Sequence, residues 1–533
     1  MFWQEARAIG LGSAAIFTVT FAYGQPAAAQ DVTLMMTPPS VESTLYWATP
    51  GDATLRPAFQ GLVGHDPETG FYDNSGLAES WEHNDDFTEW TFTLHENAEF
   101  HDDWGPVTAE DIVHSFELHT GPDSNIIGVS QLQAATATAV DERTVRFDLE
   151  APQVDFLFAH GGRGSLLIYS KAQYDEEGLE GYQNQPAGTG HFRLASATVG
   201  QGMVFETVEN HWSGQDALID TLELRFIGEP STVLAGLLSG EADIAVLPRE
   251  LQPDAIDAGY EVISSTNASN QTSFLFNGTF FLEGDEALNP DLPWLDIRIR
   301  EAVNRAVDRE TLIDIVYDGR AEILPVFGMD PRHEGYRPDL AERFEAEYGY
   351  DPERAKQLLA EAGYPENFAE PVIPILITQL PGSTEFPTMA ELMQVFLEEA
   401  GFQTEMIELD WAGLGALRRS RTAQLFHPMR NLPVKPSAVG IDNYLASHGR
   451  PNNPFEHPEI DALVDEYKVT IDPDERERLA GEIFELAFDL YANVPLASLA
   501  AELMVNPDTI AGWTFPGVTS GGTSHFELIE PAS

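Results

Sequence analysis

Three stretches of the chain alternate apolar and polar residues, which is the pattern of a strand with one buried face. They are EWTFTL at 89–94, TVRFDLE at 144–150 and DTLELRFIG at 220–228. Trp90 and Phe92 fall on one side of the first stretch, because successive side chains of a strand point to opposite faces. We therefore predict strands at all three positions.

Helical segments are marked by residues that favour helix ends. In TAEDIVHSF, Thr108 precedes Asp111 by three residues, which is the spacing of a capping box. Asp351 and Asp472 are each followed by proline, which is favoured in the first helical turn. Asp308 is a further aspartate in a capping position. The sequence predicts helices that begin after each of these caps.

Strands and helices are mixed along the whole chain, which indicates the α/β class. The length of 533 residues exceeds that of one hydrophobic core. At roughly 150 residues per domain, it suggests about three domains. Since no long Pro/Gly/Ser-rich linker separates them, we expect short crossings between the domains.

The charge balance is strongly acidic. Asp and Glu total 87 against 28 Lys and Arg, a formal net charge of −59. Molar salt screens such repulsion to a Debye length of roughly 3 Å, so the composition favours adaptation to a saline exterior. An acidic protein from a GC-rich genome is the alternative. Nucleic-acid binding is excluded as a function class, because a phosphate backbone requires a basic surface.

The N-terminus predicts export. Residues 1–29 contain Arg7, an apolar core at 9–23 and an Ala-Ala-Ala site ending at Ala29, the organisation of a signal peptide. An uncleaved membrane anchor is the alternative. The chain has no cysteine, which excludes disulfides and a cysteine-linked lipid anchor. We expect a soluble periplasmic protein after cleavage.

No residue pattern predicts catalysis or a metal centre. HDDW at 101–104 is better explained as a turn, since adjacent strand residues point apart. In PRHEG, Arg332 and His333 lie in a loop, and one His beside Glu334 is weak evidence for zinc. No Gly-x-Ser-x-Gly elbow occurs. We predict neither an enzyme nor a cofactor, and a secreted hydrolase is the alternative.

Several stretches together resemble one protein family, and the similarity spans nearly all of residues 31–533. They are GLAESWEHNDDFTEWTFTLHENAEFHDDWGPVTAEDIVHSFE at 76–117, GTGHFRL at 188–194, LDIRIREAVNRAVDRETLIDIVYDGRAEILPV at 295–326 and HPEIDALVDEYKVTIDPDERERLAGEIFELAFDLYANVPLA at 457–497. These stretches are similar to the family 5 extracellular solute-binding proteins, the peptide, nickel and opine binders of ABC importers.

The resemblance implies a periplasmic binding protein-like α/β fold of the three-domain, peptide-binding type. Two lobes joined by a hinge would enclose a ligand in the cleft between them. After the signal peptide at 1–29, the implied segments are domain I at 30–65, 188–275 and 500–533, domain II at 66–187, and domain III at 276–499. One lobe would combine domains I and II.

The resemblance also implies a ligand-binding element that is altered here. Peptide binders of the family carry a Trp-x-x-Asp element whose carboxylate meets the ligand ammonium. Arg430 and Pro433 occupy these positions, with Asn431 beside them and Asp442 further along. Because arginine pairs well with carboxylate or phosphate, we hypothesise a ligand with an anionic group near Arg430, such as an opine-like solute or a modified peptide. The alternative is that Arg430 points to solvent.

Other candidates for the ligand-binding set lie in predicted loops and crossings. Tyr46 and Trp47 follow the first strand, and Asn277 lies where the chain crosses between lobes. Arg332 and His333 complete the set. The implied function is capture of a small peptide-like solute and its delivery to the permease of an ABC importer, by a monomer. A nickel-chelate binder or another module of the same fold is the alternative.

Overall fold

A computed structural model describes residues 30–49, 54–126, 132, 134–161, 165–281, 287–378, 383–433, 436–447, 454–517 and 523–532. The predicted signal peptide at 1–29 lies outside these residues. Residues 30–275 and 500–532 are called the first lobe and residues 276–499 the second lobe, after the domain boundaries predicted above.

The strands follow one another along both lobes. In chain order they are β1 (Asp31–Met36), β2 (Gly64–His65), β3 (Tyr72–Asp73), β4 (Ala78–His83), β5 (Glu89–Leu94), β6 (Ala135–Ala139), β7 (Thr144–Leu149), β8 (Phe192–Thr198), β9 (Gly202–Thr207), β10 (Thr221–Phe226), β11 (Ile244–Ala245), β12 (Glu261–Phe276), β13 (Thr279–Phe280), β14 (Glu322–Ile323), β15 (Ile373–Ile377), β16 (Thr404–Glu408), β17 (Phe426–Asn431), β18 (Phe455–Glu456), β19 (Asn493–Val505), β20 (Ile510–Trp513) and β21 (Ile529–Pro531).

Helices are concentrated in the second lobe. In chain order they are α1 (Ala109–Thr120), α2 (Phe158–Gly161), α3 (Lys171–Asn184), α4 (Pro230–Leu238), α5 (Gln252–Asp257), α6 (Ile297–Ala306), α7 (Arg309–Tyr317), α8 (Pro338–Tyr348), α9 (Pro352–Ala362), α10 (Phe386–Glu399), α11 (Trp411–Arg419), α12 (Ser437–Tyr444), α13 (Pro458–Val469) and α14 (Pro473–Asp489).

One large sheet runs through both lobes. Its strand order is β16-β15-β17-β12-β19-β11-β1-β10-β9-β8, with β14 paired to β19. Parallel and antiparallel pairs are mixed, since β1 is parallel to β10 and β11 whereas β12 is antiparallel to β17 and β19. The predicted α/β class and the periplasmic binding protein-like fold are therefore confirmed.

Strands β12 and β19 connect the lobes. Their outer ends pair within the first lobe, from Glu261 opposite Val505, and their inner ends pair across the lobe boundary, up to Leu275 of the first lobe opposite Asn493 of the second. Between these ends the register shifts twice in the stretch 264–270. A register shift bends and twists a strand, so this stretch is the place where the two lobes can turn relative to each other. The predicted boundary after residue 499 falls inside β19, and the domain boundaries stay a prediction.

In the second domain, the strands predicted at 89–94 and 144–150 form β5 and β7, and the predicted capping box is present. Strands β4, β5, β7 and β6 form a separate sheet in that order. Trp90 and Phe92 are buried, as the alternation predicts. Helix α1 begins after Thr108, whose backbone N–H and hydroxyl both donate to the Asp111 carboxylate, at 2.8 and 2.7 Å. A second oxygen of Asp111 accepts from the backbone N–H of Lys171 at 2.7 Å, which fastens α1 to α3.

The remaining predicted helix caps all lie in the second lobe and are confirmed. Asp308, Asp351 and Asp472 each accept a backbone N–H of the first turn with their side chains. The HDDW stretch forms the predicted turn, in which Asp102 and Asp103 have positive φ angles of 56° and 62°.

Candidate functional site: the face between the lobes

Gln271, near the end of β12, is bonded to three residues of the second lobe. Its Nε2 donates to the carbonyl oxygen of Met329 at 2.7 Å. Its Oε1 accepts from the backbone N–H of Gly328 at 3.0 Å and from Nδ2 of Asn431 at 3.1 Å. Since Gln271 and Asn431 are also directly paired across β12 and β17, the predicted candidate Asn431 is held against the connecting strand.

Arg332 and His333 lie in the loop that Gln271 anchors. Arg332 forms a two-pronged ion pair with Asp330, at 2.7 Å from Nε and 2.8 Å from Nη2. Nη2 also donates to the carbonyl oxygen of Ala268 in the bent stretch of β12, at 3.2 Å. His333 donates from Nε2 to the carbonyl oxygen of Pro433 at 2.8 Å. The structure thus brings the predicted candidates Arg332, His333 and Asn431 together around the hinge.

This loop faces the first lobe. Burial lowers the pKa of His65 to about 3, and the positive charges of Arg56 and Arg332 act in the same direction. Burial likewise lowers the pKa of His333. Burial therefore disfavours the charged form of both imidazoles. The face between the lobes combines imidazole and amide groups with the Arg332 guanidinium, which is paired with Asp330.

Arg430 lies beside Asn431, half-buried at the end of β17. Its Nη1 donates to Oγ of Ser383 at 3.1 Å, and its carbonyl oxygen accepts from the Tyr444 hydroxyl at 3.2 Å. Burial raises the pKa of the nearby Glu385, and the charge of Arg430 opposes that effect. Arg430 is therefore directed toward the segment just before α10.

Tyr46 and Trp47 lie in a buried cluster of the first lobe. The ring of Trp47 meets that of Tyr169 edge-on at 5.0 Å. The Tyr169 hydroxyl accepts from the backbone N–H of Tyr46 at 3.0 Å and donates to the carbonyl oxygen of Thr44 at 2.8 Å. The structure does not bring Tyr46 and Trp47 together with Arg332, and a contact with ligand stays a prediction for both.

Asn277 and Asp442 also have protein partners. Asn277 donates from Nδ2 to the carbonyl oxygen of Leu425 at 3.2 Å, and its own carbonyl oxygen accepts from Trp294 at 3.2 Å. Asp442 forms an ion pair with Lys468 at 2.6 Å. Asn277 therefore fixes the chain where it enters the second lobe, and the ligand-binding role of both residues stays a prediction.

A cavity in the first lobe was not predicted from the sequence. It has a volume of about 420 Å³, and its lining includes Arg56, His65, His191, Trp212, His525 and Glu527. Glu527 lies between two imidazoles, 3.0 Å from Nδ1 of His525 and 3.8 Å from Nδ1 of His191. The feature of the sequence that points to this cavity is the GTGHFRL stretch, in which histidine replaces the proline of the similar proteins. No spacing in the sequence joins it to the C-terminal His525.

The two lobes touch beyond the connecting strands. Arg476 of the second lobe is 3.6 Å from Asp155 of the first lobe. Phe158 packs against Leu432, and Ile471 packs against the core of the second domain. The structure therefore shows the lobes closed onto each other.

Within the described ranges, no helix combines the length and apolar character needed to cross a membrane. In the same residues, no group of three or more His, Asp or Glu side chains is arranged to hold a metal ion.

Two lobes joined by continuous strands and closed over a polar face define a solute-binding protein. Residues 74–448 match the family described as bacterial extracellular solute-binding proteins, family 5 Middle, and that match covers more than two thirds of the chain. The chain belongs to this family, as the resemblance predicted. The family and its solved neighbours are binding proteins that serve ABC importers.

Individual proteins are similar to this chain in sequence or in fold. Heme-binding protein A of Haemophilus influenzae is 27% identical over 454 residues, which cover 76% of this chain and 75% of that protein. The structure of HbpA2 from Haemophilus parasuis is similar with a TM-score of 0.74 at 21% identity, covering 94% of this chain and 100% of that one. AgaA from A. tumefaciens R10, solved with agropinic acid, gives a TM-score of 0.65 at 23% identity, covering 94% and 98%.

Proposed function

We propose that this protein captures a small peptide-like or opine-like solute between its lobes and delivers it to the permease of an ABC importer. The observation that carries the proposal is the pair of strands β12 and β19, which run from one lobe into the other and shift register at 264–270. A ligand that contacts both lobes binds the closed form better, and so populates the form that the permease recognises.

The cycle needs no chemical step. Binding energy comes from what the closed lobes bury and pair, and release follows when the permease opens them. The protein acts in the periplasm as a monomer after removal of residues 1–29. Its net charge of −59 suits a saline exterior, where screening removes most of the self-repulsion.

We further propose that the ligand carries an anionic group that binds near Arg430. Pro433 replaces the acidic residue that meets a peptide ammonium in the similar proteins, so a free N-terminus lacks its charge-assisted partner. Arg430 lies half-buried at the end of β17, beside Asn431, which is bonded to the connecting strand. The structural neighbour AgaA was solved with agropinic acid, an acidic solute.

A calorimetric screen of opines, amino-blocked peptides and free di- and tripeptides tests this assignment. We expect acidic or blocked solutes to bind, and Arg430→Ala to weaken that binding by about tenfold or more, the loss of one charge-assisted hydrogen bond. Arg478→Ala is the matched control, because Arg478 lies exposed on α14 and pairs with Glu475 and Glu482 of the same helix. Tight binding of free tripeptides that is unaffected by Arg430→Ala would contradict the anionic-ligand proposal.

Heme is a second candidate ligand, favoured by the relative named heme-binding protein A. The first-lobe cavity is lined by His65, His191 and His525, and one imidazole is enough for axial ligation of heme iron. Native mass spectrometry of protein purified from its own host separates the candidates, because it weighs the carried molecule directly. A heme-sized adduct with a Soret band would replace the opine-like assignment, whereas a small acid or peptide would support it.

A further inference from the structure

Arg476 contacts Glu334 and Tyr467 of its own lobe and Asp155 of the first lobe. Its guanidinium holds Glu334 with two contacts, 3.1 Å from Nε and 2.6 Å from Nη2. The same Nη2 is 3.6 Å from the Asp155 carboxylate of the first lobe. The Arg476 guanidinium also lies over the Tyr467 ring at 4.2 Å, and the Tyr467 hydroxyl donates to Glu334.

The charges in this cluster do not balance. One guanidinium faces two carboxylates, and Glu334 takes the short, two-pronged contact. Asp155 keeps only the long contact and faces the negative charge of Glu334. Arg476 has just 6% of its side chain exposed, against 35% for Asp155, so the excess negative charge lies on the first-lobe partner at the edge of the interface.

The groups that face Asp155 from the elements packed against it are few. Glu334 lies in the loop before α8, Tyr467 on α13 and Arg476 on α14, and Tyr72 lies on β3. The partial burial of Asp155 and the charge of Glu334 raise its pKa to about 6 from an ordinary value of 3.8, and Arg476 offsets this only in part. In this arrangement Asp155 therefore takes up a proton as the pH falls through about 6.

We propose that Asp155 and the Glu334–Arg476 pair form an interlobe contact that takes up a proton when the lobes close, so that acidification stabilises the closed form. This inference rests on the proposed function, because it assumes that the lobes open and close. When they open, Asp155 separates from Glu334 and returns to solvent. None of the contacts described for Asp155 involves the proposed ligand face near Arg430. The cluster would therefore change the affinity of the protein for its ligand indirectly, by shifting the equilibrium between the open and closed forms.

The sign of the pH effect follows from linkage. A carboxyl group whose pKa is higher in the closed form holds its proton more tightly there, so closure gains as pH falls from about 7 through 6 toward 4. His65 and His333 act in the opposite direction, because burial lowers the pKa of both and closure therefore releases their protons. The contribution of Asp155 must accordingly be measured as the difference between the wild type and Asp155→Asn.

The absence of cysteine makes a direct measurement practical. Val140 of the first lobe and Ile315 of the second lobe are 54% and 56% exposed, and Val140→Cys with Ile315→Cys provides two unique sites for spin labels. Pulsed dipolar spectroscopy then gives the open and closed populations between about pH 7.5 and pH 5 without added solute. Asp148→Asn is the matched control, because Asp148 lies in the same lobe and pairs with Arg146 instead.

We expect Asp155→Asn to be more closed than the wild type throughout this range, and by a smaller factor near pH 5 than near pH 7.5. The ratio of their closing constants should change by up to about tenfold over that range. Glu334→Gln, which removes the repelling charge, should reduce the change without altering Asp155, because burial of Asp155 remains. Parallel behaviour of the wild type and Asp155→Asn at every pH would overturn the proposal.

The same labelled protein separates this inference from the function on which it rests. If solutes from the ligand screen shorten the label distance but pH has no effect that depends on Asp155, only the proton-linked contact is wrong. If no solute and no pH changes the distance, capture by lobe closure is wrong as well.

Discussion

Nδ2 of Asn431 donates to Oε1 of Gln271 at 3.1 Å, and this bond links the end of β17 to the strand that connects the lobes. Gln271 is 2% exposed and also holds the backbone of Met329 and Gly328, so one buried amide fixes the strand, the candidate site and the loop that carries Arg332. The hinge and the site are therefore mechanically connected.

Replacing Gln271 by alanine should lower the free energy of unfolding by about 2–4 kcal/mol, because it creates a cavity and leaves buried backbone and amide groups unpaired. Denaturant titration followed by tryptophan fluorescence measures the change. Gln201→Ala is the matched control, since Gln201 is exposed in a turn and makes only backbone hydrogen bonds. A loss below about 0.5 kcal/mol for Gln271→Ala would show that the amide does not hold this region.

Arg309→Lys should destabilise the second lobe although it keeps the charge. Arg309 is 4% exposed and donates to the carbonyl oxygens of Pro495, Asn304 and Tyr348 at 2.7, 3.1 and 3.0 Å. Lysine cannot reproduce this fork of donors, so we expect a loss of about 2–4 kcal/mol.

Chemical unfolding measures that loss, and Arg478→Lys, on the exposed face of α14, should change stability by less than about 0.5 kcal/mol. Equal effects of the two substitutions would contradict the structural role of Arg309.

His160→Phe should reduce the acid sensitivity of the protein. His160 is buried among Phe92, Phe147 and Phe156 at ring distances of 4.7–4.9 Å, and in the described part of the chain neither ring nitrogen has a hydrogen-bond partner. Burial lowers its pKa to about 3 from 6.5. The unfolded chain therefore binds a proton that the folded protein excludes, and stability falls as pH drops below about 6.5.

Between about pH 7.5 and pH 5, this residue should account for roughly 2 kcal/mol of the lost stability, and His160→Phe should recover that amount. Unfolding curves at both pH values give the difference. His83→Phe is the control, since His83 is exposed on β4. Identical pH dependence in the wild type and His160→Phe would mean that His160 does not titrate in this way.

Salt should stabilise the protein strongly. A formal charge of −59 repels itself in dilute buffer, and the Debye length falls from about 10 Å at 0.1 M to a few ångströms above 1 M. We expect the melting temperature to rise by about 10 °C or more between about 0.1 M and 2 M KCl, since each kcal/mol gained raises it by a few degrees. Scanning calorimetry with sucrose as the uncharged control separates screening from solute exclusion. A melting temperature that rises equally with both additives would remove the electrostatic explanation.

Local features of the fold could be predicted because neighbouring residues determine them. The alternation in EWTFTL places Trp90 and Phe92 on one face whatever the strand pairs with, and Thr108 caps α1 through a residue three positions away. The family resemblance added the two-lobed architecture, which the sheet through β12 and β19 confirms.

The sequence by itself determined the strands, the helix caps, the acidic composition and the family, because these depend on residue type and on spacings of a few positions. Only the tertiary structure decided that Gln271 holds Asn431, that Asp155 meets Arg476, and that Tyr46 and Trp47 lie in a core. Those contacts join residues separated by 160 and 321 positions, or bury a side chain against distant segments. Local pattern carries no information about such pairs, since chain packing alone brings them together.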